Sequence, residues 1–462
     1  MKGDLPRFAG KKHTARSLAL AVLLECRAHE AFVQEALDRQ LGQAQLSGPD
    51  RRLATQLVYA VLRRRGSLDA LIRPFLARKP HDVEPWLWEA LRLGACQLAL
   101  LTNIPVHAAI NETVELARAF GRERARGFLN AVLRRVSELV TSDWGDAPSA
   151  EALPMHDGRY RKLTRSVLPD PEGEPARYLA AGFALPGWLA STWLERLGWD
   201  ECVRLGFWFA GPAPLWLRVN PLRQDRDACL AAWQQAGFPG EPGTHPQAIR
   251  LADHAPVREL PGYAEGWFSV QDEAAMQVAS ALAPAPGSLV LDLCAAPGGK
   301  TAHLAELMQN QGKIIACDVD ERRLRTVTEL CGRLGHSIVE TCQLEQEGEP
   351  PAGPFDAILV DVPCSNTGVL GRRPEARWRL RPDDFQRLVP LQTRLLLHAV
   401  ERLRPGGKLV YSTCSIEPAE NRGVVAAVLQ AFPQLVIEEE SEQKPGLPAD
   451  GGYWTRLRSP VC

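Results

Sequence analysis

The chain has 462 residues, enough for two to four domains, and its 45% hydrophobic and 24% charged content predicts ordinary globular cores. No stretch approaches the roughly 20 apolar residues of a membrane helix, and the first ten residues lack the apolar core of a secretory signal. The 11 cysteines are odd in number and form no CxxC pair. We therefore expect a cytoplasmic protein with reduced thiols, no membrane partner and no metal.

The charge is unevenly distributed, although the formal net charge is only −1. Residues 1–140 contain 22 Lys and Arg against 14 Asp and Glu, a balance of +8, whereas the remainder carries −9. A basic first third on a nearly neutral chain indicates a polyanionic partner. A solvated, charged helix surface is the alternative explanation.

Residues 1–140 are predicted to form an all-α bundle of six or seven helices. Apolar residues recur there at helical spacing, as in the stripe of Leu53, Leu57 and Val61. Ser47 stands three residues before Asp50, with a proline between them, which is a helix-start pattern. The basic residues of this region cluster at 51–52, 63–65, 122–126 and 134–135.

The middle of the chain predicts a linker and then a small α+β segment. Residues 141–180 are rich in Pro, Gly and Asp without a clear period, which is typical of a linker, here partly helical near Tyr160–Val167. Residues 181–285 begin with apolar residues at helical spacing between Trp188 and Leu197. Further patterns predict strands at 215–219, 249–251 and 267–270, and a helix at 227–235.

Residues 286–462 alternate between apolar strands and helical segments. This pattern predicts a βαβ series with a mostly parallel, Rossmann-like sheet. A Pro-, Gly- and acid-rich stretch from Glu438 to Gly452 precedes the last expected strand. The expected strands cover 289–294, 313–318, 337–342, 355–361, 407–413 and 452–458. The expected helices cover 320–334, 383–403 and 417–430.

A glycine-containing turn follows the first strand of this series. Val290–Leu293 is predicted as a buried strand, Ala295–Gly299 as a turn of small residues, and the chain from Thr301 as a helix. Such a turn directs free backbone N–H groups and a positive dipole end toward a ligand. Cys294 occupies the position where a P-loop needs glycine, and the turn supplies no G-x-G-x-x-G. A methyltransferase-type turn remains, and Asp318 at the end of the next strand can accept ribose hydroxyls.

Two cysteines follow two other strands of the predicted sheet. Asp361 and Cys364 come directly after one strand, and Cys414 after another. The carboxyl ends of strands in a doubly wound sheet meet at one crevice, so these side chains should gather around the glycine turn. Two buried structural cysteines are the alternative, because cysteine is commonly buried.

The N-terminal motifs resemble a known RNA-binding domain. Thr14–Arg16, Asp50-Arg51, Leu62–Arg64 and Asn130–Arg135 look like parts of the NusB-like helical domain. The resemblance covers nearly all of residues 10–138 and implies RNA as the polyanionic partner.

The remaining motifs resemble the RNA cytosine-5 methyltransferases. Leu217–Leu222 is similar to the opening of that family's core, and Val270–Ala274 to the segment before its cofactor turn. Cys294–Lys300, C-A-A-P-G-G-K, is a highly specific match to the family's first motif. The whole chain resembles the Sun/Fmu (RsmB-type) ribosomal RNA enzymes. This implies an all-α NusB-like domain at 1–140, a linker at 141–180, a small α+β RNA-binding segment at 181–285 and a Rossmann-like methyltransferase domain at 286–462.

The resemblance also implies a cofactor, a substrate and roles for site residues. We expect S-adenosylmethionine as the cofactor, small-subunit ribosomal RNA as the substrate, and a monomer. The family places an aspartate near the adenine, where this chain has Gln343. The implied cofactor-binding residues are Cys294, Ala295, Ala296, Pro297, Gly298, Gly299, Lys300, Asp318, Gln343 and Asp361.

The chemistry of cytosine explains why cysteines are needed. C5 of cytosine accepts a methyl group only after a thiolate has added at C6, and the addition requires groups that stabilise charge on the ring. The residue patterns do not rank the two cysteines. The resemblance assigns Cys414 as the nucleophile and Cys364 to release of the product. Asp361 can bond the N3–N4 edge of cytosine or the cofactor, and Lys300 can contact the same base.

Two further features extend the resemblance. Residues 372–379 contain the family's R-x-P…W pattern, which predicts guanidinium groups for phosphates and a tryptophan for base stacking. Asn366 stands where many relatives carry glycine or alanine. The alternative functions are an RNA-binding or antitermination-like module with an inactive core, and a nicotinamide oxidoreductase, which the missing G-x-G-x-x-G disfavours.

Overall fold

The computed structural model describes residues 13–29, 32–76, 82–251, 256–345, 349–446 and 448–460. The chain divides into two compact units. The first unit contains the residues up to Ala213 together with Leu370–Leu380, and the second contains Pro214–Val369 and the residues from Arg381 onward. The boundary at 213 falls within the expected α+β segment. Among the described residues, no helix is both long and apolar enough to cross a membrane.

The first unit begins with the expected helical bundle. Leu57, Val58 and Val61 are buried in a core of leucine, valine and alanine side chains, as the helical spacing predicts. The Ser47 side chain accepts a hydrogen bond from the backbone N–H of Asp50, so the predicted helix start is confirmed. The helices are α1 (Ala15–His29), α2 (Val33–Gln43), α3 (Gly48–Arg63), α4 (Arg65–Ile72), α5 (Pro85–Ala99), α6 (Val106–Ala119) and α7 (Arg126–Leu139).

The stretch expected as a linker is folded into the first unit. Its strands form an antiparallel sheet in the order β1-β3-β2, and Tyr160 lies in a strand where partial helix was predicted. Leu153 and Leu163 are buried in this sheet's core, and Gly158 lies in the short connection between β2 and β3. The elements are β1 (Val140–Gly145), β2 (Ala152–Pro154), β3 (Tyr160–Leu163), α8 (Pro175–Gly182), α9 (Gly187–Leu197) and α10 (Trp199–Ala210).

Some of the basic residues in the first unit are buried and form hydrogen bonds inside it. Arg64 is buried and donates hydrogen bonds from Nη2 to the carbonyl oxygens of Pro154, at 2.6 Å, and Gly182, at 3.2 Å. Within the basic cluster at 63–65, Arg64 is therefore not available to bind phosphate groups at the surface. Arg134 and Arg135 of α7, in contrast, are exposed.

The R-x-P…W segment also contributes to the first unit. Arg377 is fully buried, and its guanidinium donates hydrogen bonds of 3.0 Å to the carbonyl oxygens of Arg63 and Phe209. The indole of Trp378 donates to the Leu62 carbonyl oxygen at 2.9 Å, and the Arg65 guanidinium lies over its ring. The prediction that these two side chains contact phosphates and bases is therefore wrong. Burial lowers the pKa of Arg377 to about 9, so the guanidinium is still charged at neutral pH.

The second unit opens with a four-stranded antiparallel sheet in the order β5-β6-β4-β7. Trp233, in the helix that connects the first two strands of this segment, packs on Phe268 of the sheet, with ring centroids 5.0 Å apart. The predicted strands and helix of this segment are confirmed within a residue or two. The elements are β4 (Leu215–Val219), α11 (Arg226–Gln235), β5 (Gly240–Pro242), β6 (Ala248–Leu251), β7 (Phe268–Val270) and α12 (Glu273–Leu282).

A seven-stranded sheet follows, and its first five strands in spatial order are parallel. The strand order is β10-β9-β8-β11-β12-β14-β13, with β14 antiparallel to both of its neighbours. All six predicted strands are present, and a seventh, β13, begins before Glu438 and includes it. The elements are β8 (Leu289–Leu293), α13 (Gly299–Leu307), β9 (Lys313–Asp318), α14 (Glu321–Leu334), β10 (Val339–Gln343), β11 (Phe355–Asp361), α15 (Ala376–Arg379, in the first unit), α16 (Asp384–Glu401), β12 (Leu403–Thr413), α17 (Arg422–Ala431), β13 (Val436–Gln443) and β14 (Gly452–Arg458).

Helices cover both faces of this sheet. Side chains alternate along β11, so that Ile358 and Val360 belong to one core and Ala357 and Leu359 to another. The first core includes residues of α16 and α17, and the second includes residues of α12 and α13. Burial on both faces explains why the central strands are continuous apolar runs. It also leaves the carboxyl ends of the parallel strands as the place for polar side chains.

Replacing the buried Arg377 should destabilise the first unit. Arg377→Ala leaves the backbone carbonyl oxygens of Arg63 and Phe209 without these donors, and an unsatisfied buried acceptor costs about 1–3 kcal/mol. We expect calorimetry of the full chain to show a lower unfolding temperature. The exposed Arg373 provides the control, because surface substitutions usually change stability by less than about 0.5 kcal/mol. Equal unfolding temperatures for Arg377→Ala and Arg373→Ala would contradict this role.

Candidate active site

The glycine turn lies at the carboxyl end of β8. Cys294 and Gly298 both have positive φ, 71° and 103°, and the backbone N–H of Ala295 donates to the Cys317 carbonyl oxygen at 2.8 Å. A Cβ atom at Gly298 would lie 3.0 Å from the Val327 Cα, so this position needs glycine for both its φ and its packing. A Cβ at Gly299 would meet no described atom within 4 Å, so open space adjoins the start of α13. The turn thus presents a helix N-terminus beside space for a ligand.

Asp318 ends β9 next to this turn. Its Oδ2 accepts a hydrogen bond from the Ala296 backbone N–H at 3.3 Å, and its Oδ1 accepts one from the Asp320 N–H at 3.1 Å. Asp320, rather than Asp318, caps α14 by accepting from the N–H groups of Arg322 and Arg323. A carboxylate has about four acceptor positions, so Asp318 can still accept hydrogen bonds from the hydroxyl groups of a ligand.

Gln343 ends β10 directly beside Asp318. The two residues are paired across the parallel strands, and the Gln343 side chain is exposed. Its amide donates a long hydrogen bond, 3.4 Å, to the Val319 carbonyl oxygen. The amide therefore stands at the same sheet edge as the Asp318 carboxylate and one strand farther from the glycine turn.

The two candidate catalytic cysteines are brought together. Their Sγ atoms are 3.2 Å apart, although Cys364 follows β11 and Cys414 follows β12. The Cys414 thiol also lies 3.2 Å from the Asn366 Oδ1, and the Asn366 amide donates to the Cys364 carbonyl oxygen at 2.8 Å. The hydrogen bond with Cys414, together with burial, raises the pKa of the Cys364 thiol well above its usual range.

Lys300 and Asp361 form an ion pair between the glycine turn and the cysteines. The Lys300 Nζ lies 2.7 Å from the Asp361 Oδ2, and the Ser412 hydroxyl donates to the Asp361 Oδ1 at 2.7 Å. Burial alone would lower the pKa of Lys300, but the Asp361 carboxylate outweighs it and the pKa is raised. Lys300 is therefore a cation held beside Asp361, and it also interacts electrostatically with Cys414.

Cys294 belongs to the turn rather than to the pair of cysteines. Burial, with Asp318 and Asp361 nearby, raises the pKa of its thiol. The Cys294 thiol is therefore protonated at neutral pH. Among the described residues, no group of three His, Cys, Asp or Glu side chains has the arrangement of a metal site.

Two buried carboxyl groups near the site are absent from the residues that the motifs single out. Asp292 lies within β8, where its Oδ2 accepts from the Thr301 hydroxyl at 2.6 Å. Glu420 is fully buried and contacts the loops that carry both cysteines. The sequence features that could have indicated them are the position of Asp292 inside the apolar run V-L-D-L and that of Glu420 in the Pro418–Asn421 segment after Cys414.

Family models cover most of the chain. A model of the 16S rRNA methyltransferase RsmB/F matches residues 279–449, one of the NusB family matches 13–138, and one of the RsmF/B-like ferredoxin-like domain matches 185–258. The probable ribosomal RNA small subunit methyltransferase B of Bacillus subtilis (strain 168) is 34% identical over 94% of this chain and 92% of its own length. The chain belongs to the RsmB/F family of 16S rRNA methyltransferases.

Other relatives and solved structures agree with this membership. The ribosomal RNA small subunit methyltransferase B of Salmonella typhi is 34% identical over 90% of this chain and 92% of its own length. The crystal structure of PH0851 has a TM-score of 0.77 and 25% identity, and it covers 96% of this chain and 98% of that one. A methyltransferase homologue from Pyrococcus horikoshii has a TM-score of 0.51 and 29% identity, with coverage of 61% and 97%.

This RsmB/F-family chain is an RNA methyltransferase that uses S-adenosylmethionine. The site fits such a cofactor, because small residues, a helix N-terminus, a carboxylate and an amide lie at the ends of adjacent strands. The open space beside Gly299 can receive the amino-acid part, and Asp318 offers acceptors for hydroxyl groups. The resemblance seen in the motifs is thus confirmed at the level of family and cofactor.

The buried Asp292 should make stability depend on pH. Burial raises its pKa to about 7, so the folded state keeps the proton to higher pH than the unfolded state does. The free energy of unfolding should therefore fall as the pH rises between about 4 and 7, by at most about 1.4 kcal/mol per pH unit for one proton. Asp292→Asn removes this proton, and urea titrations at pH 5, 6 and 7 should show a smaller decline. Parallel pH profiles for the two proteins would contradict the assignment.

Proposed function

We propose that this chain methylates C5 of a cytidine in 16S ribosomal RNA through a covalent adduct between cysteine and C6. The supporting observation is that two cysteine Sγ atoms lie 3.2 Å apart, beside the Lys300–Asp361 ion pair and at the same sheet edge as the glycine turn. Both thiols can therefore reach one base. The names of the relatives support the choice of small-subunit ribosomal RNA.

Cys414 is the proposed nucleophile. Its thiolate adds to C6 of cytosine, an S–C6 bond forms, and the electron pair of the C5=C6 bond becomes available at C5. Bound S-adenosylmethionine would supply an electrophilic methyl group for C5 and would be left as S-adenosylhomocysteine. A base then takes the C5 proton, the C5–H electron pair restores the C5=C6 bond, and the S–C6 bond breaks with its electron pair returning to the thiolate.

Cys364 is proposed to act in the release of the adduct. The hydrogen bond with Cys414, together with burial, raises the pKa of the Cys364 thiol, which makes it a poor source of thiolate at neutral pH. Its Sγ lies 3.2 Å from the Cys414 Sγ and is thus close to the bond that must break.

Lys300 and Asp361 are proposed to bind the reacting base. The two hydrogen bonds from Lys300 and Ser412 fix the Asp361 carboxylate, which can accept from the N3–N4 edge of cytosine when N3 is protonated. The Lys300 cation can stabilise negative charge that develops on the cytosine ring. Cofactor contacts are assigned to residues 294–300, with Asp318 at the ribose and Gln343 at the adenine.

The two cysteines should give opposite results in a trapping experiment. Cys414→Ser should abolish methyl transfer and form no covalent complex, because a hydroxyl is a far poorer nucleophile than a thiolate. Cys364→Ala should still attack and methylate, so a protein–RNA adduct should accumulate and survive denaturation on a gel. An adduct with Cys414→Ser but not with Cys364→Ala would reverse the roles. Unchanged turnover in both variants would exclude the covalent mechanism.

Asp318 should contribute to cofactor affinity. Asp318→Ala removes the acceptor proposed for the ribose hydroxyls, and poorly paired polar groups cost about 1–3 kcal/mol. Calorimetry with S-adenosylmethionine should therefore show binding weakened by roughly 5- to 150-fold. Asp320→Ala is the matched control, because Asp320 caps α14 without lying at the strand end. Equal losses in the two variants would assign the effect to the stability of α14.

A further inference from the structure

We propose that Glu420 is a positioning residue that sets the separation of the two cysteine thiols. Glu420 lies just before α17 and has none of its surface exposed. Its carboxylate contacts the residues that flank both cysteines. The positioning follows from the contacts alone, whereas its consequence for catalysis rests on the proposed function.

The first set of contacts holds the Cys364 loop. The Glu420 Oε1 accepts a hydrogen bond from the backbone N–H of Ser365 at 2.9 Å, and the Ser365 hydroxyl donates to the Oε2. Gln392 of α16 donates from one amide nitrogen to the Glu420 Oε1 and to the Pro363 carbonyl oxygen, both at 2.9 Å. Cys364 is thus held from the residue before it and the residue after it.

The second set of contacts holds the Cys414 loop. The Ser415 hydroxyl donates to the Glu420 Oε2 at 2.5 Å, and the Glu417 backbone N–H donates to the same hydroxyl at 3.0 Å. The Tyr411 hydroxyl of β12 donates to the Glu420 carbonyl oxygen at 2.6 Å, which fixes the backbone on which the carboxylate stands. One carboxylate therefore joins the ends of β11 and β12 immediately behind the two thiols.

The chemistry of the group suits this task. Each carboxylate oxygen of Glu420 accepts hydrogen bonds from these donors, and a donor that turned away would leave a buried acceptor less well paired. The donors to the carboxylate are neutral, and they lie in the Cys364 loop, in α16 and in the Cys414 loop. Such a network fixes geometry more than it adds net stability.

An amide at position 420 should loosen this arrangement. Glu420→Gln keeps the size of the side chain but replaces one acceptor oxygen with a donor, so the backbone N–H of Ser365 and the hydroxyls of Ser365 and Ser415 cannot all be satisfied as before. A misplacement of about 1 Å near a reacting group can reduce a rate by about 100-fold. The cofactor and RNA contacts assigned above do not involve Glu420.

Phenylarsine oxide measures the separation of the thiols without any reaction on RNA. Its arsenic binds two nearby thiol sulfurs and releases one water, so tight binding requires both. Within the described part of the chain, the Cys342 and Cys317 thiols also interact through a hydrogen bond, so a Cys342→Ser background removes this second pair. In this background the full chain should bind the reagent tightly, and Cys414→Ser should abolish tight binding. Glu420→Gln should weaken it by about tenfold or more.

Activity and a matched control complete the experiment. Glu420→Gln should lower kcat by about 10- to 100-fold, with less than a twofold change in KM for RNA or in binding of S-adenosylhomocysteine. Asp356→Asn is the control, because this carboxylate accepts from the Leu289 N–H at the opposite end of β11. The control should alter neither arsenic binding nor kcat. Ser415→Ala, which keeps Glu420, should weaken both properties in the same direction but to a smaller extent.

The outcomes separate the two proposals. Unchanged arsenic binding in both Glu420→Gln and Ser415→Ala would overturn the positioning role, whatever happens to activity. A parallel rise in KM and fall in kcat, matched by Asp356→Asn, would instead indicate general destabilisation and overturn it as well. If arsenic binding weakens while Cys414→Ser still methylates RNA, Glu420 positions the thiols, and it is the covalent mechanism that fails.

Discussion

The parallel register of β8, β9, β10, β11 and β12 is the constraint on which the site depends. Strands that end together place side chains together, even when they are far apart in the sequence. The pairings Asp361–Ser412 and Asp318–Gln343 are direct consequences of this register. Hydrophobic cores on both faces fix the strands, so the polar side chains at their ends cannot spread. The site is therefore positioned by packing that lies outside it.

Buried ionisable groups also hold in place segments whose positions the strand register does not determine. Arg377 and Glu420 are each buried, and each bonds to groups on more than one segment. A buried charge is costly unless its partners surround it, so the segments that provide those partners are held in one arrangement. Asp292 ties β8 to the start of α13 through Thr301. Glu420 ties the two cysteine loops to each other in the same way.

The sequence predicted best those features that are local or that repeat a specific motif. The strands β8, β9 and β11 were recognisable because they are apolar runs with polar residues at their ends, and C-A-A-P-G-G-K identified the turn. The strand β13 was missed because it is acidic and mostly exposed at a sheet edge, where no apolar alternation is needed. Glu420 could not be recognised as a contact of both loops, because its partners are 55, 28 and 5 residues away.

Charge in the sequence overstates the charge that is available to RNA. The balance of +8 in residues 1–140 includes Arg64, which bonds to backbone carbonyl oxygens in the interior of the first unit. Arg377 is used in the same way, although its segment has the composition of a phosphate-binding loop. A guanidinium with five donors can satisfy several carbonyl oxygens at once, which suits it to tying irregular backbone together. Arg134 and Arg135 on α7, in contrast, are an adjacent pair that stays exposed, so their charge remains available to a polyanion such as RNA.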